Sequence, residues 1–135
     1  MNACVYVYQD CRAEWWTQDV ATAAVPTHLF VANMTHISEW ESTCGLLRGA
    51  AHMLGRVSNG NDGGALFVYG PFRVDGQQTA PSNAEFEESL KARNALWGIR
   101  DKDADMATEA NKWGLALVEA VQMPANNMIL VFQKR

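Results

Sequence analysis

The sequence lacks the features that mark several large classes of protein. Its 135 residues include only three cysteines, an odd number without a paired framework, which favours a reducing compartment over secretion. Lysine and arginine together number 11 against 15 aspartates and glutamates, without a basic cluster, so nucleic-acid binding is not expected. No uncharged stretch is apolar enough to cross a membrane, and we expect no signal peptide. One acidic, soluble, cytoplasmic domain is therefore expected.

Glycine is present, but never in the glycine-x-glycine sequence that opens a nucleotide-binding loop. The glycines at positions 60, 63 and 64 follow a predicted helix and precede a predicted strand. That order is the reverse of the strand, loop and helix that cradle a phosphate group. The spacing of cysteines and histidines does not fit zinc either, so we expect no metal.

What the sequence does contain is a series of short apolar runs typical of buried strands. At 48% hydrophobic and 19% charged residues, the chain can bury a core. The runs Leu29–Ala32 and Ala65–Tyr69 are apolar on both faces, which favours parallel strands covered by helices. Leu115–Gln122 and Met128–Gln133 flank a short turn and predict an antiparallel hairpin. A further β-prone run, Cys4–Tyr8, stands near the start.

Three helices are predicted between these strands. Ser38–Leu54 and the helix opened by Ser82 each begin with a capping box, in which a hydroxyl and a carboxylate three residues later satisfy free N–H groups. A third helix is expected from about Asp103 to Trp113, where Gly114 ends it. The order of elements indicates an α/β fold with a mostly parallel sheet and a C-terminal antiparallel hairpin.

Polar residues follow the two apolar strands, at the edge where open α/β sheets bind ligands. Asn33 and His36 come after the first strand, and Tyr69 ends the second. Asn33 is a candidate to hydrogen-bond a substrate or cofactor, and His36 is a candidate base near neutral pH. The alternative is that both residues tie down the loop between strand and helix.

Two later segments have alternative interpretations as well. Gly70–Gly76 either crosses the mouth of the site, with Phe72 as a wall, or is a plain surface connection. Arg100 either holds a ligand carboxylate as part of a lid or pairs with Asp101 at the start of a helix.

Several of these segments occur together, and in the same order, in one known family. They are Ala32–Ile37, Tyr69–Phe72, Asp75-Gly76, Ser82-Asn83 with Phe86, Trp97–Asp101 and Met123–Asn127. On these motifs the chain resembles the methyltransferase-like-26 family, itself a domain of unknown function, from roughly Asp19 to Arg135. The resemblance implies a truncated Rossmann-like class I methyltransferase sheet, and S-adenosylmethionine as the cofactor if the chain is active.

The resemblance also implies roles for individual residues. It implies catalytic roles for Asn33 and His36, substrate contacts for Tyr69, Phe72 and Asn83, and a cofactor contact for Asp19.

The chain departs from that family at its start, where a complete member has two β–α units and the glycine-rich loop. Only eighteen residues precede Asp19 here. We therefore expect residues 1–18 to be a separate segment, which is a candidate for an edge strand, and residues 19–135 to be the methyltransferase-like portion. The strand Leu29–Ala32 would have a bare edge, which predicts that Cys4–Tyr8, a second copy in a homodimer, or another protein covers it.

Three functions are compatible with this pattern. The first is an interaction or remnant module that holds no cofactor by itself and is not catalytic alone. The second is an active small-molecule methyltransferase whose S-adenosylmethionine site is rebuilt by the N-terminal segment or by a second subunit. The third is a small-molecule binding protein that uses the cleft without chemistry.

Overall fold

The computed structural model describes three parts of the chain, namely residues 11–14, 27–55 and 64–135. Two predicted features, the β-prone run Cys4–Tyr8 and the cofactor contact Asp19, lie outside the described residues. No helix in the described part is both long enough and apolar enough to cross a membrane. The elements follow in this order: β1 (His28–Ala32), α1 (Trp40–Gly55), β2 (Ala65–Gly70), β3 (Phe72–Arg73), α2 (Pro81–Arg93), β4 (Arg100–Asp101), a π-helical turn (Lys102–Ala107), α3 (Thr108–Lys112), β5 (Leu115–Met123), a 3-10 turn (Pro124–Asn126) and β6 (Asn127–Lys134).

The main sheet has the strand order β1-β2-β6-β5 among the described residues. β1 pairs with β2 in parallel, whereas β6 lies antiparallel between β2 and β5. Three of these four strands therefore point the same way, and β6 is reversed. The predicted α/β fold class, a mostly parallel sheet with a C-terminal antiparallel hairpin, is confirmed.

The hydrophobic core lies on one face of this sheet. α1 is buried along most of its length, because small and leucine side chains turn toward the sheet at helical spacing. They pack against β2 and β6, where the register sets Leu66 opposite Phe132 and Val68 opposite Leu130. Since α1 follows β1 after a short loop, this packing also fixes the loop at the end of β1.

β1 is the outermost strand of the sheet in the described part of the chain. Leu29 and Val31 pack against the core, so the alternation of a strand turns Phe30 to the other face. The Phe30 side chain is 65% exposed, which is unusual for a phenylalanine in the middle of a strand. An exposed apolar side chain on an edge strand is a feature of surfaces that associate.

The starts of the two long helices differ from the predicted capping boxes. The Ser38 hydroxyl donates to the carbonyl oxygen of Met34 at 2.7 Å, and α1 begins at Trp40. α2 begins at Pro81 without a side-chain hydrogen bond at its cap, so Ser82 lies inside the first turn. Proline favours the first helical position because its φ angle is already helical. Both capping-box predictions are therefore wrong.

The predicted third helix, Asp103–Trp113, divides into the π-helical turn and α3. The carboxylate of Asp101 caps the turn by accepting from the backbone N–H groups of Asp103 and Ala104, each at 2.9 Å. We expected this helix to bury Met106, Ala110 and Trp113. Met106 and Ala110 are buried, whereas Trp113 follows α3 and is 37% exposed, so its predicted burial is wrong.

The segment after β2 forms a second, small sheet. β3 follows directly after Pro71 and pairs in parallel with β4, with Phe72 opposite Arg100. The backbone N–H of Gly76 donates to the Asp101 carboxylate at 2.7 Å. The segment Gly70–Gly76, which was predicted to cross the mouth of the site, is thus hydrogen-bonded to residues 100 and 101. This pairing brings Arg100 close to the carboxyl end of β2.

The opposite edge strand, β5, is irregular. Its pairing with β6 shifts register between Leu117 and Glu119, which places a β-bulge at Val118. The Val118 side chain is 41% exposed, and Glu119 is exposed beside it. A bulge bends a strand and increases its twist, so β5 departs from a flat edge.

Candidate functional site

Asn33 follows directly after β1 and has a left-handed backbone conformation, with φ at 54°. Asparagine tolerates this region better than most residues, because its short polar side chain bonds locally. The Asn33 N–H donates to the carbonyl oxygen of Tyr69 at 2.9 Å, which continues the β1–β2 pairing beyond the strand. The exposed Asn33 side chain therefore lies at the carboxyl edge of the sheet, as predicted.

His36 follows in the loop and is buried, with 3% of its surface exposed. Its ring packs edge-on against Phe86 of α2, with 5.6 Å between ring centroids. It also lies against Gly70, where an added Cβ would come within 3.4 Å of His36 Nδ1. Nδ1 has no hydrogen-bond partner among the described residues. The imidazole is thus enclosed between the end of β2 and α2.

Burial of the His36 ring, and secondly the charge of Arg100, lower the pKa of His36 to about 4. The imidazole is therefore neutral at pH 7 and keeps one nitrogen that accepts a hydrogen bond or a proton. The low pKa makes it a weak base. The backbone carbonyl of His36 accepts from the N–H of Gly98 at 3.1 Å, so the residue also ties down its loop.

Two asparagines of the hairpin turn connect β2 to the start of α2. The Tyr69 hydroxyl accepts from Asn127 Nδ2 at 2.9 Å. Asn83, which is 6% exposed, donates from Nδ2 to the carbonyl oxygen of Asn126 at 3.3 Å. Asn126 Nδ2 in turn donates to the Ser82 hydroxyl at 3.3 Å. These uncharged polar groups extend the carboxyl edge beyond Asn33 toward β6.

The turn itself holds two consecutive residues in the left-handed region, Ala125 with φ at 61° and Asn126 with φ at 59°. Such a conformation costs an alanine roughly 1–2 kcal/mol, and the hydrogen bonds to α2 help to offset that cost. Backbone strain of this kind concentrates at functional sites.

The structure brings Asn33, His36, Tyr69 and Asn83 to the same edge, but it does not bring Phe72 there. Phe72 is fully buried, at 0% exposure, within the core cluster. Its burial leaves no surface for a ligand, which corrects the predicted role as a wall of the site. The physical reason is that β3 continues the chain past Pro71 and turns Phe72 into the core.

For Arg100 the structure shows contacts that differ from both the predicted lid contact and the predicted ion pair. Its guanidinium donates to main-chain carbonyl groups, and among the described residues it forms no ion pair with Asp101. Burial opposes ionisation of the Asp101 carboxyl, but hydrogen bonds from the N–H groups of Ala104, Gly76 and Asp103 outweigh it and lower its pKa. The predicted helix start at Asp101 is confirmed.

Two features of the site were missed at the sequence level. Thr35 is 1% exposed, and its hydroxyl has no hydrogen-bond partner in the part of the chain that the structure describes. Phe86 is 36% exposed, and its ring packs against the ring of His36. No periodicity or motif signals either feature, because both depend on how α2 lies against the loop.

A cavity of about 230 Å³ lies elsewhere and contains none of the predicted site residues. It is lined by Arg12, Glu41, Cys44, Gly45, Arg48 and Trp113. Burial, and then the hydrogen bond to Glu109, raise the pKa of the Cys44 thiol to about 11. The thiol stays protonated at neutral pH and is a poor nucleophile.

Neither a metal nor a whole cofactor fits the described residues alone. Across residues 11–14, 27–55 and 64–135, no group of three histidine, cysteine or acidic side chains is placed to hold a metal ion. The segments that end β1 and β2, Asn33–Ser38 and Gly70–Phe72, include no carboxylate, and the chain has no glycine-x-glycine loop. These residues therefore do not form a complete S-adenosylmethionine site by themselves.

Solved structures with the same arrangement are found among methyltransferases. An O-methyltransferase family 2 protein from Planctomyces limnophilus, in complex with apigenin, has a TM-score of 0.66 and 14% identity, over 81% of this chain and 30% of that chain. Human N-acetylserotonin methyltransferase in complex with SAM has a TM-score of 0.64 and 11% identity, over 80% of this chain and 29% of that chain. A pericyclic reaction enzyme is also similar, with a TM-score of 0.62 and 13% identity over 81% of this chain and 26% of that chain.

These identities establish the fold alone, and the chain spans less than a third of the length of these three neighbours. The fold is that of the class I S-adenosylmethionine-dependent methyltransferases. The chain itself belongs to a family described as a protein of unknown function (DUF938), whose family model matches residues 1–134.

Proposed function

We propose that this chain is a methyltransferase-like module that contributes the acceptor side of a site at the carboxyl ends of β1 and β2 and is not catalytic alone. One observation carries the proposal: β1 is the outermost described strand, so the described residues flank Asn33 on one side only. The absence of a glycine-x-glycine loop supports it as well. A closer kinship with methyltransferase-like-26 proteins, based on Trp97–Asp101 and Met123–Asn127, is part of this proposal.

The partner in this proposal is a second copy of the chain, associated along β1. The strand sequence His28-Leu29-Phe30-Val31-Ala32 carries no acidic residue and no lysine or arginine. Natural edge strands commonly use charge, proline or bulges to prevent pairing, and none of these occurs in β1. Phe30, exposed at the middle of the strand, supplies the apolar contact.

The cofactor part of the proposal is tested by calorimetric titration of the full chain with S-adenosylmethionine and with S-adenosylhomocysteine. We expect no saturable heat up to millimolar ligand, because the described strand ends supply no glycine loop and no carboxylate. Saturable one-site binding with a Kd below about 100 μM, or roughly −5.5 kcal/mol, contradicts the proposal.

The association part is tested by sedimentation velocity on the Phe30→Asp variant. A charge at the centre of β1 is expected to weaken self-association at least about tenfold without unfolding the chain, since Phe30 is 65% exposed. Val118→Asp is the matched control, because it adds the same charge at an exposed apolar residue of the other edge strand, β5. Equal effects of the two variants, or a wild type that stays monomeric, would refute association along β1.

Methyl transfer by a completed site is the second candidate, and His36 favours it. A neutral imidazole with an unpartnered Nδ1 in the loop after β1 suits a group that accepts a hydrogen bond from an acceptor hydroxyl and so orients it. The calorimetric titration separates the two candidates, because methyl transfer by this chain requires that it bind the cofactor.

A further inference from the structure

Arg100 links three points of the backbone around the candidate site. Its Nε donates to the carbonyl oxygen of Thr35 at 3.2 Å, and its Nη2 donates to that of Ser38 at 3.1 Å. These two carbonyl groups flank His36 on either side. Nη2 also donates to the carbonyl oxygen of Leu96 at 3.0 Å. A planar guanidinium can serve several acceptors at fixed angles, which a lysine cannot.

The backbone of Arg100 is itself anchored to the end of β2. In the β3–β4 pair, Arg100 stands opposite Phe72. Phe72 in turn lies only two residues beyond Gly70. Nearby, the N–H of Gly98 donates to the His36 carbonyl oxygen at 3.1 Å. The guanidinium lies over the ring of Trp40, 5.4 Å from its centroid, at the start of α1. Arg100 therefore joins the loop after β1 to the segment after β2.

We propose that Arg100 is a positioning residue, which holds the loop from Asn33 to Ser38 in one conformation and so fixes His36 and Asn33 relative to the end of β2. Its relevance to chemistry rests on the proposed function of this site, whereas its effect on the loop does not. Neither interpretation made from the sequence, a lid contact or an ion pair with Asp101, included this role.

The charge of Arg100 adds a measurable signature to this geometry. No acidic side chain forms an ion pair with it among the described residues, so its charge acts on the neighbouring imidazole. The charged groups around it are Asp105, Arg73 and Glu87, with the neutral Cys44 thiol. After burial, Arg100 is the second cause of the lowered pKa of His36.

The test is an NMR titration of the histidine rings of the full chain, combined with amide exchange, for Arg100→Met and Arg100→Lys. In Arg100→Met, the pKa of His36 is expected to rise above about 4 but to stay below 6.5, because burial, the larger cause of the lowering, remains. The N–H groups of Ile37 and Gly98 are expected to exchange about tenfold faster. Arg100→Lys keeps the charge but loses the planar fork. It is expected to leave the titration near that of the wild type while exchange still becomes faster.

Arg93→Met serves as the matched control, because Arg93 also lies over a tryptophan, 5.6 Å from the Trp97 centroid, but is exposed on α2. It is expected to change neither readout. An unchanged His36 titration and unchanged loop exchange in Arg100→Met would overturn the proposal. If Arg100→Met fails to fold, Arg100→Lys decides the question. The proposal is then overturned if the amides of Arg100→Lys exchange at the same rates as those of the wild type. Neither readout requires cofactor or turnover, so this proposal and the proposed function fail separately.

Discussion

Replacing Phe72 with alanine is expected to lower the free energy of unfolding by about 3–5 kcal/mol. The reason is that the whole ring is buried in the core cluster, at 0% exposure, so the substitution removes its contacts and leaves a cavity. A loss of this size is a large part of the roughly 5–15 kcal/mol that stabilises a typical domain. Urea unfolding followed by circular dichroism measures it.

Leu96→Ala is the control for this experiment, because it truncates an apolar side chain that is 59% exposed and lies outside β1. The expected loss there is below about 1 kcal/mol. If the two variants were equally stable, Phe72 would not be a core residue, and the wall of the site predicted from the sequence would regain support.

Lowering the pH from 6.5 to 4 is expected to destabilise the fold by about 3 kcal/mol through His36 alone. Its pKa is 6.5 when unfolded and about 4 when folded. Between these values the unfolded chain binds more protons than the folded one, so stability falls as the pH falls. The free energy of unfolding, measured in urea at several pH values, gives the slope.

His36→Gln is expected to flatten this slope, because it removes the group whose pKa differs between the folded and unfolded chain. Asp101 and Glu109 have lowered pKa values in the fold, so their contributions are lost only as the pH falls below their unfolded values of 3.8 and 4.5. The interval from about pH 4.5 to 6.5 therefore reports mainly on His36. A slope that survives in His36→Gln would show that the ring is accessible and protonated in the fold.

The strands could be predicted from the sequence because each is a local apolar pattern. Leu29–Ala32 and Ala65–Tyr69 agree with β1 and β2 to within one residue, and the hairpin strands agree equally well at their starts. The helix starts could not be predicted as reliably. Ser38 and Ser82 both have the neighbours that a capping box requires. The Ser38 hydroxyl instead donates to the carbonyl group of Met34, and Pro81 begins α2 one residue before Ser82.

The site was predicted in outline because the carboxyl ends of parallel strands meet at one edge. Asn33 and Tyr69 follow from that rule alone. The burial of Phe72 and the contacts of Arg100 depend on the β3–β4 pair, which joins residues that are 28 positions apart. Two strands of two residues each leave no periodic pattern in the sequence, so pairing between them is invisible until the chain is folded.

The bulge at Val118 limits how far copies of this chain can assemble by adding strands. If two copies pair through β1 by an isologous contact, each uses its own regular edge for the other. Among the strands that the structure describes, the edges that then remain are the two β5 strands, which are bent at the bulge and carry the exposed Glu119. Growth stops at a closed pair, and a fibre of stacked sheets is not formed.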